Sequence, residues 1–474
     1  MKHQNNIMKK TVLFLLLPLS LFSQTPSTLL RQYMTGQNKY FQFNGNILVA
    51  EKGMLIYQQA LGYADYNTKR MLNDSSVFEL ASLSKQFTAM GIMILKEKKR
   101  LNYDDNVKKF LPDFPYANIT IRQLLTHTSG LPAYEDQFEK HWDHSKIAHN
   151  KDIVDMLKQV QDTLFFTPGT KWKYSNTGYA ILALIIDRVS GMDYNEFMSN
   201  NIFKPLDMEH SFIYNTRRSN GKIPANYALG YVHSDSLKRF ILPDSLKTYD
   251  FVYYLDGIVG DGCVNSTIGD LFKWDKALYG DKLVSKQLVS KESLDEMLSP
   301  LVQTSPTDTT SFYGFGEFVQ PYSEKGKVIS HTGSWPGYRT LIVRRPDITQ
   351  TIIILSNNES SIPFFRAAVE SILNGEPLVM PYEHKEVKID PSLLDDYVGK
   401  YSAGLTLEFI KRDGKLYRHR NGTADIELKP ESTTKFFYAD GTDRQIEFEK
   451  DSDGKVIKIW FMNMGQKGEM KKIQ

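Results

Sequence analysis

A change of hydrophobic period near Lys388 constrains this chain more than any other feature. Beyond it, apolar and polar residues alternate, as in Leu405-Thr406-Leu407-Glu408-Phe409 and Gln445-Ile446-Glu447-Phe448-Glu449. Turn pairs recur at Asp413-Gly414, Asn421-Gly422, Asp440-Gly441 and Asp453-Gly454. Period-two alternation punctuated by Asx-Gly turns is the signature of consecutive hairpins. It predicts a small all-β domain, a barrel or meander, over residues 388–474. Pro377 and Pro381 mark the change of pattern.

Upstream, strand signals lie at both ends and helical ones between. Gly45–Ala50 and Met54–Gln59 flank Glu51-Lys52-Gly53 and read as a hairpin. Tyr338–Val343 and Gln350–Leu355 read as strands, and Ile362–Leu373 as a helix. Helical patterns and long loops fill the stretch from Ser82 to about Leu298. This order predicts an α+β body over 24–378, one antiparallel sheet flanked by helices with a helical subdomain. At 474 residues the chain exceeds one typical core, in agreement with two domains.

The chemistry starts at Ser82-Leu83-Ser84-Lys85, at the expected start of an amphipathic helix running through Leu95. Residues three apart on a helix share a face, so the Lys85 amine can reach the Ser82 hydroxyl. A serine hydroxyl is a weak nucleophile until a base takes its proton, and a lysine amine serves once its environment lowers its pKa. Ser-x-x-Lys also occurs at Ser219, Ser432 and Ser452. Glycines mark the first and last of these as exposed turns, and Ser432 precedes an expected strand.

Two further motifs follow. Tyr174-Ser175-Asn176 precedes the apolar run Tyr179–Ile186. A tyrosine hydroxyl near a lysine can relay protons, and an asparagine amide can hold a substrate carbonyl. Tyr116-Ala117-Asn118 has the same pattern but follows Pro115 and reads as a structural turn. His331-Thr332-Gly333, before Ser334-Trp335-Pro336-Gly337, ends the expected strand Lys327–Ser330, and its glycine would let substrate lie against the strand backbone.

Ser-x-x-Lys, Tyr-x-Asn and His-Thr-Gly in that order resemble the class C branch of the penicillin-recognising enzymes. That branch holds class C β-lactamases, D-alanyl-D-alanine carboxypeptidases and esterase relatives. Ile121–Pro132, Gly260-Asp261-Gly262 and Ser266–Leu271 are similar to segments common there, and the resemblance covers roughly residues 28–375. It implies a β-lactamase/transpeptidase-like fold with the site between sheet and helical region, and a C-terminal β domain like that of some relatives. It implies Ser82 as nucleophile, Lys85 with Tyr174 as proton shuttle, and His331 completing the catalytic set. The N–H groups of Ser82 and Ser334 would form the oxyanion hole, with Asn176, Thr332 and Gly333 binding substrate. Many relatives carry lysine where this chain has His331. A histidine is mostly neutral above about pH 6.5. The substitution therefore favours simple esters or small peptide-like amides over β-lactams. Any β-lactam acylation should improve toward about pH 6 as the imidazole protonates.

Lys2, Lys9 and Lys10 precede the apolar stretch Thr11–Ser23, which reads as a signal peptide over 1–23 cleaved near Ser23-Gln24, with an uncleaved anchor as the alternative. The expected location is the periplasm or the exterior, with no membrane contact beyond that segment. No cysteine lies near the cleavage point, so no lipid is expected there. The net charge of +3 forms no basic stripe, so nucleic acid is not an expected partner. His141, His144 and His149 cluster, but nothing completes a metal site, and neither metal nor cofactor is expected. Cys263, the single cysteine, cannot form an internal disulfide and should pack beside the Gly260–Gly262 loop. These readings converge on an exported serine hydrolase working through an acyl-enzyme on a small ester, peptide or β-lactam. The alternative is a binder or sensor of penicillin or peptidoglycan fragments that acylates without turnover.

Overall fold

Both ends of the larger body meet in one sheet. In the computed structural model, which describes residues 24–41, 43–161, 163–217, 219, 221–279 and 287–473, strand Gly45–Glu51 lies between Met54–Leu61 and Gln350–Ser356. Ile47 faces Gln59 on one side and Ile354 on the other. The sheet has eight antiparallel strands and continues through Tyr338–Arg345 and Val328–Trp335 to three short strands between Val302 and Gln320.

Alternate residues of the central strands enter two different cores, as a pleat with period two requires. Ile47, Val49, Ile352 and Ile354 pack under the helices Pro26–Phe41 and Ile362–Asn374. Leu48, Ala50, Ile353 and Leu355 face the larger core, built around the helices Ser84–Glu97, Asn176–Ser190 and Ile268–Leu278. The Ser84–Glu97 helix differs from its expected amphipathic form, because every residue from Ser84 to Leu95 is buried. Its polar side chains survive burial by finding partners. Gln86 accepts from Trp274 Nε1 at 2.8 Å, and Thr88 donates to Gly260 O at 2.6 Å.

The period-two region forms a closed barrel of eight strands from Gly399–Ala403 to Gln466–Lys472, shut by pairing of Tyr401 with Lys472. Tyr397 stacks on Phe448 at its centre, with Phe409, Phe436 and Ile459 around them. The barrel docks on the far side of the sheet from the larger core. Tyr33 of the first helix donates to Met464 O at 3.0 Å, Gln37 donates to Asp443 at 2.7 Å, and Val379 N–H donates to Gly465 O at 2.9 Å. Segment 1–23, read above as a signal peptide, lies outside the described residues. Among those described, no helix is long and apolar enough to cross a membrane.

Candidate active site

The turn that carries Ser82 is held by backbone on two sides. Strand Phe78–Glu79 pairs with Val264–Ser266, and Leu80 N–H donates to Val264 O at 2.8 Å. Ala81 then adopts φ of +50°. A left-handed conformation is costly for a residue with a Cβ and persists only where the surroundings enforce it. The chain makes a single 3₁₀ turn, Ala81–Leu83, before the α-helix begins at Ser84. Ser82 therefore stands just ahead of the α-helix that holds Lys85.

Lys85 is fully buried, and its Nζ has three acceptors, as an ammonium needs. They are Ser82 Oγ at 3.2 Å, Asn176 Oδ1 at 2.8 Å and Asp261 O at 2.8 Å. The ring of Tyr174 lies 4.9 Å from the same nitrogen. Asn176 sits in the first turn of its helix, capped by Ser175, whose Oγ accepts from Gly178 N–H. Its amide bridges Lys85 and Glu135, donating to the latter at 2.6 Å.

The His-Thr-Gly segment lies inside strand Val328–Trp335 instead of ending a strand at Ser330. The pleat sends Thr332 and Ser334 to the exposed side and buries His331 and Gly333. A Cβ on Gly333 would stand 2.1 Å from Leu80 O and 2.2 Å from Thr340 Oγ1. Glycine is needed there so that the Ser82 turn can pack on the strand, which corrects the expected reason of room for substrate.

His331 also needs correcting. Its imidazole lies behind the strand, where Nδ1 donates to Thr332 O at 2.6 Å and Nε2 meets Tyr313 OH at 3.2 Å. Burial, then the charge of Lys85, hold its pKa down at about 3. The ring is thus neutral throughout the range in which a substrate carboxylate would want a cation. His331 therefore does not supply the gain expected on acidification toward pH 6. The His331 ring lies 6.1 Å from that of Tyr174, centre to centre.

Ser82 opens onto a cavity shared with Ser334, Asn176 and Trp335. The same cavity holds residues that no sequence motif announced: Glu79, Tyr134, Glu135, Asp256 and Cys263. Asp261 also lines it, from the Gly260–Gly262 segment singled out above. Tyr134 OH donates to Asp261 at 2.8 Å. Burial raises the carboxyl pKa of Asp261, which the charge of Lys85 partly offsets, and burial also raises that of Glu135. His127 lies in the Ile121–Pro132 segment noted above, which carried no role for it. It has φ of +59°, its ring lies 4.4 Å from Tyr174, and its Nδ1 accepts from Ser175 N–H at 3.1 Å. Burial, with Lys85 and His331 nearby, holds it far below the usual histidine range, so it is a neutral wedge that fixes the Tyr-Ser-Asn segment.

The decoys lie elsewhere. Ser219 Oγ donates to Asn215 O, Ser432 Oγ accepts from Lys435 N–H at 3.0 Å, and Ser452 is exposed. Tyr116 packs on Phe114. His144 contacts Asp250 and stacks on Tyr254, while His149 caps the Asn150–Val160 helix.

A profile of the family described as Beta-lactamase matches residues 31–375. The chain is 45% identical over 404 residues to penicillin-binding protein 4* of Bacillus subtilis, covering 84% of this chain and 88% of that one. It is 30% identical over 331 residues to the putative penicillin-binding protein PbpX of the same organism, covering 69% and 73%. Among solved structures, the octameric penicillin-binding protein homologue from Pyrococcus abyssi superposes with a TM-score of 0.65 at 23% identity, over 93% of this chain and 99% of that one.

Proposed function

The chain belongs to the Beta-lactamase family, whose members are serine hydrolases, and from that premise we propose that it cleaves esters or small peptide-like amides through an acyl-enzyme on Ser82. The observation that carries this is the buried Lys85 amine 3.2 Å from Ser82 Oγ, beside a cavity that Ser82 lines together with Asn176 and Ser334.

The reactive form in the proposed cycle is Lys85 after loss of one ammonium proton, with Ser82 Oγ now donating to Nζ; the amine takes the hydroxyl proton as Oγ bonds to the carbonyl carbon. The carbonyl oxygen, now an anion, is received by the N–H groups of Ser82 and Ser334. The tetrahedral intermediate collapses by breaking the bond to the leaving alcohol or amine. That group departs with the proton, passed from Lys85 by way of Tyr174. Water then attacks the acyl-enzyme along the same path and restores Ser82. Asn176 has both ends of its amide engaged, by Lys85 and Glu135, so it orients the lysine as well as the substrate. Thr332 stands exposed on the strand beside Ser334, placed to meet the substrate's other end.

Small esters and amides are preferred over β-lactams because His331, buried behind the strand and held neutral, supplies no fixed cation for a lactam carboxylate. We place the protein outside the cytoplasm on the basic and apolar segment at 1–23. The test is mass spectrometry after exposure to a fluorophosphonate, with turnover of a p-nitrophenyl ester, nitrocefin and a D-Ala-D-Ala peptide. An adduct on Ser82 with ester or peptide turnover is expected. An adduct that accumulates without any turnover would instead make the protein an acylated sensor.

A further inference from the structure

The wall of the Ser82 cavity carries four carboxyl groups, and the charges around them do not balance. Asp256 lies 3.7 Å from Arg217, which also binds Asp244 at 2.8 Å. Asp261 takes the Tyr134 hydroxyl. The other two have no cation within ion-pair distance among the described residues, and Arg217 and Lys85 act on Glu79 and Glu135 only from farther off. Glu135 receives the amide of Asn176 at 2.6 Å and its own backbone N–H. Glu79 is 7% exposed, faces the cavity, and has neither a hydrogen-bond donor nor a cation within ion-pair distance among the described residues.

A buried carboxyl group with no donor is a costly arrangement, because burial strips its hydration and nothing replaces it. Glu79 stands three residues before Ser82, on the strand that enters the nucleophile's turn. Leu255, Ile258 and Trp335 supply apolar surface in the same cavity. An acidic corner with an apolar wall, beside an acylatable serine, matches a small organic cation with a hydrocarbon part.

We propose that this corner is a subsite for a primary ammonium carried by the substrate, with Glu79 and Glu135 as its counter-charges. The esters and amides cleaved are then those of amino acids or short peptides with a free amino group. The inference rests on the hydrolase reading above and narrows its substrate class. An ammonium has three donors, enough to reach both carboxylates and keep one hydrogen for a further acceptor. Burial holds the Glu79 carboxyl up at about 8. A cation at close range favours its ionised form, so binding would draw a proton off Glu79 as the charge pair forms.

The experiment compares kcat/KM on the full chain for p-nitroanilides and methyl esters of D- and L-alanine with their N-acetyl counterparts. Wild type should prefer the free amines by about tenfold or more. Glu79→Gln and Glu135→Gln should each lower that preference about tenfold, the size of one charge-assisted hydrogen bond. Circular dichroism checks that both variants fold. Should either fail to fold, a wild-type measurement decides. Benzylammonium should inhibit p-nitrophenyl acetate hydrolysis competitively, and neutral benzyl alcohol at equal concentration should not. Equal rates for free and acetylated substrates, an unchanged preference in both folded variants, or equal inhibition by amine and alcohol overturns the subsite while leaving the hydrolase intact. A chain that cleaves none of these compounds and takes no label on Ser82 overturns the hydrolase reading and the subsite together.

Discussion

The catalytic body and the C-terminal barrel treat charge in opposite ways. The larger body buries Lys85, Glu79, His127, His331 and a triad in which Arg344 meets Asp275 at 2.7 Å and Glu317 at 3.5 Å. The barrel keeps its ion pairs outside, as in Lys467–Glu447 and Lys458–Glu469, over a core of Tyr, Phe, Leu and Ile. Charge buried in low dielectric is costly and is retained where it orients groups or does chemistry. Asp443, a buried carboxylate on the barrel side, takes the Gln37 amide at the seam with the larger body.

The sharpest break between the two regions should come from deleting one amine in each. Lys85→Ala, like Ser82→Ala, is expected to reduce ester turnover at least about a thousandfold with the fold intact. Lys467→Ala on the barrel should leave turnover at the wild-type level. Steady-state rates and circular dichroism check both. A Lys85→Ala protein that retains a tenth of its activity would remove the lysine from the proton path.

Stability should separate them next. Asp275→Ala leaves Arg344 fully buried with Glu317, whose own carboxyl burial holds at about 7. Removing one partner of a buried pair costs about 3–5 kcal/mol. Glu447→Ala removes a surface partner, and exposed pairs contribute little. Urea melts of the two variants give the comparison. Equal shifts would mean that the triad is solvated and that the contrast drawn here is false.

The barrel is legible in the sequence because it follows the rules. Its period is two and its turns are Asx-Gly, so pattern alone gives 405–409 and 445–449, which lie inside the strands Leu405–Arg412 and Arg444–Lys450. The sheet strands and the helix at Ile362–Asn374 were equally plain. The site was legible only where chemistry compels a spacing, as at Ser82 and Lys85 or Tyr174 and Asn176. Glu79, Glu135, His127 and Asp256 reach the cavity from separate segments, and no periodicity links them. Gly333 was found but given the wrong reason, because its neighbour Leu80 lies far away in sequence. The all-round burial of Ser84–Glu97 escaped notice because Lys85, Gln86 and Thr88 look like a polar face until their partners are seen.

Removing the barrel sharpens the comparison further. The cavity at Ser82 has no barrel residue in its wall, so a chain ending at Glu376 should still label with a fluorophosphonate. It should melt at lower temperature, since Tyr33 and Gln37 lose Met464 and Asp443 and the sheet's outer helices lose their cover. A folded truncated chain that no longer labels would mean that the barrel shapes the site from a distance.

The smallest effect expected is at His331, and it separates charge from position. With its pKa near 3, the imidazole stays neutral across the pH range in which a free histidine titrates. His331→Gln exchanges one neutral side chain for another. The shape of the kcat/KM profile between pH 5 and 8 should therefore be the same in both proteins, and the rate should fall only about severalfold, through looser packing on Tyr174 and Tyr313. Stability carries the opposite signature. The unfolded chain protonates His331 below about pH 6.5 and the folded chain does not until about pH 3. Between those values the unfolded state binds the extra proton, so the native state loses stability as pH falls through that window. His331→Gln has no such proton to bind, so its urea midpoint should fall less steeply from pH 6.5 to 4 than that of wild type. An acid limb of activity near pH 6 that disappears in the variant would show that the imidazole titrates in the folded protein. It would return His331 to the place the sequence first gave it, as a switchable cation at the site.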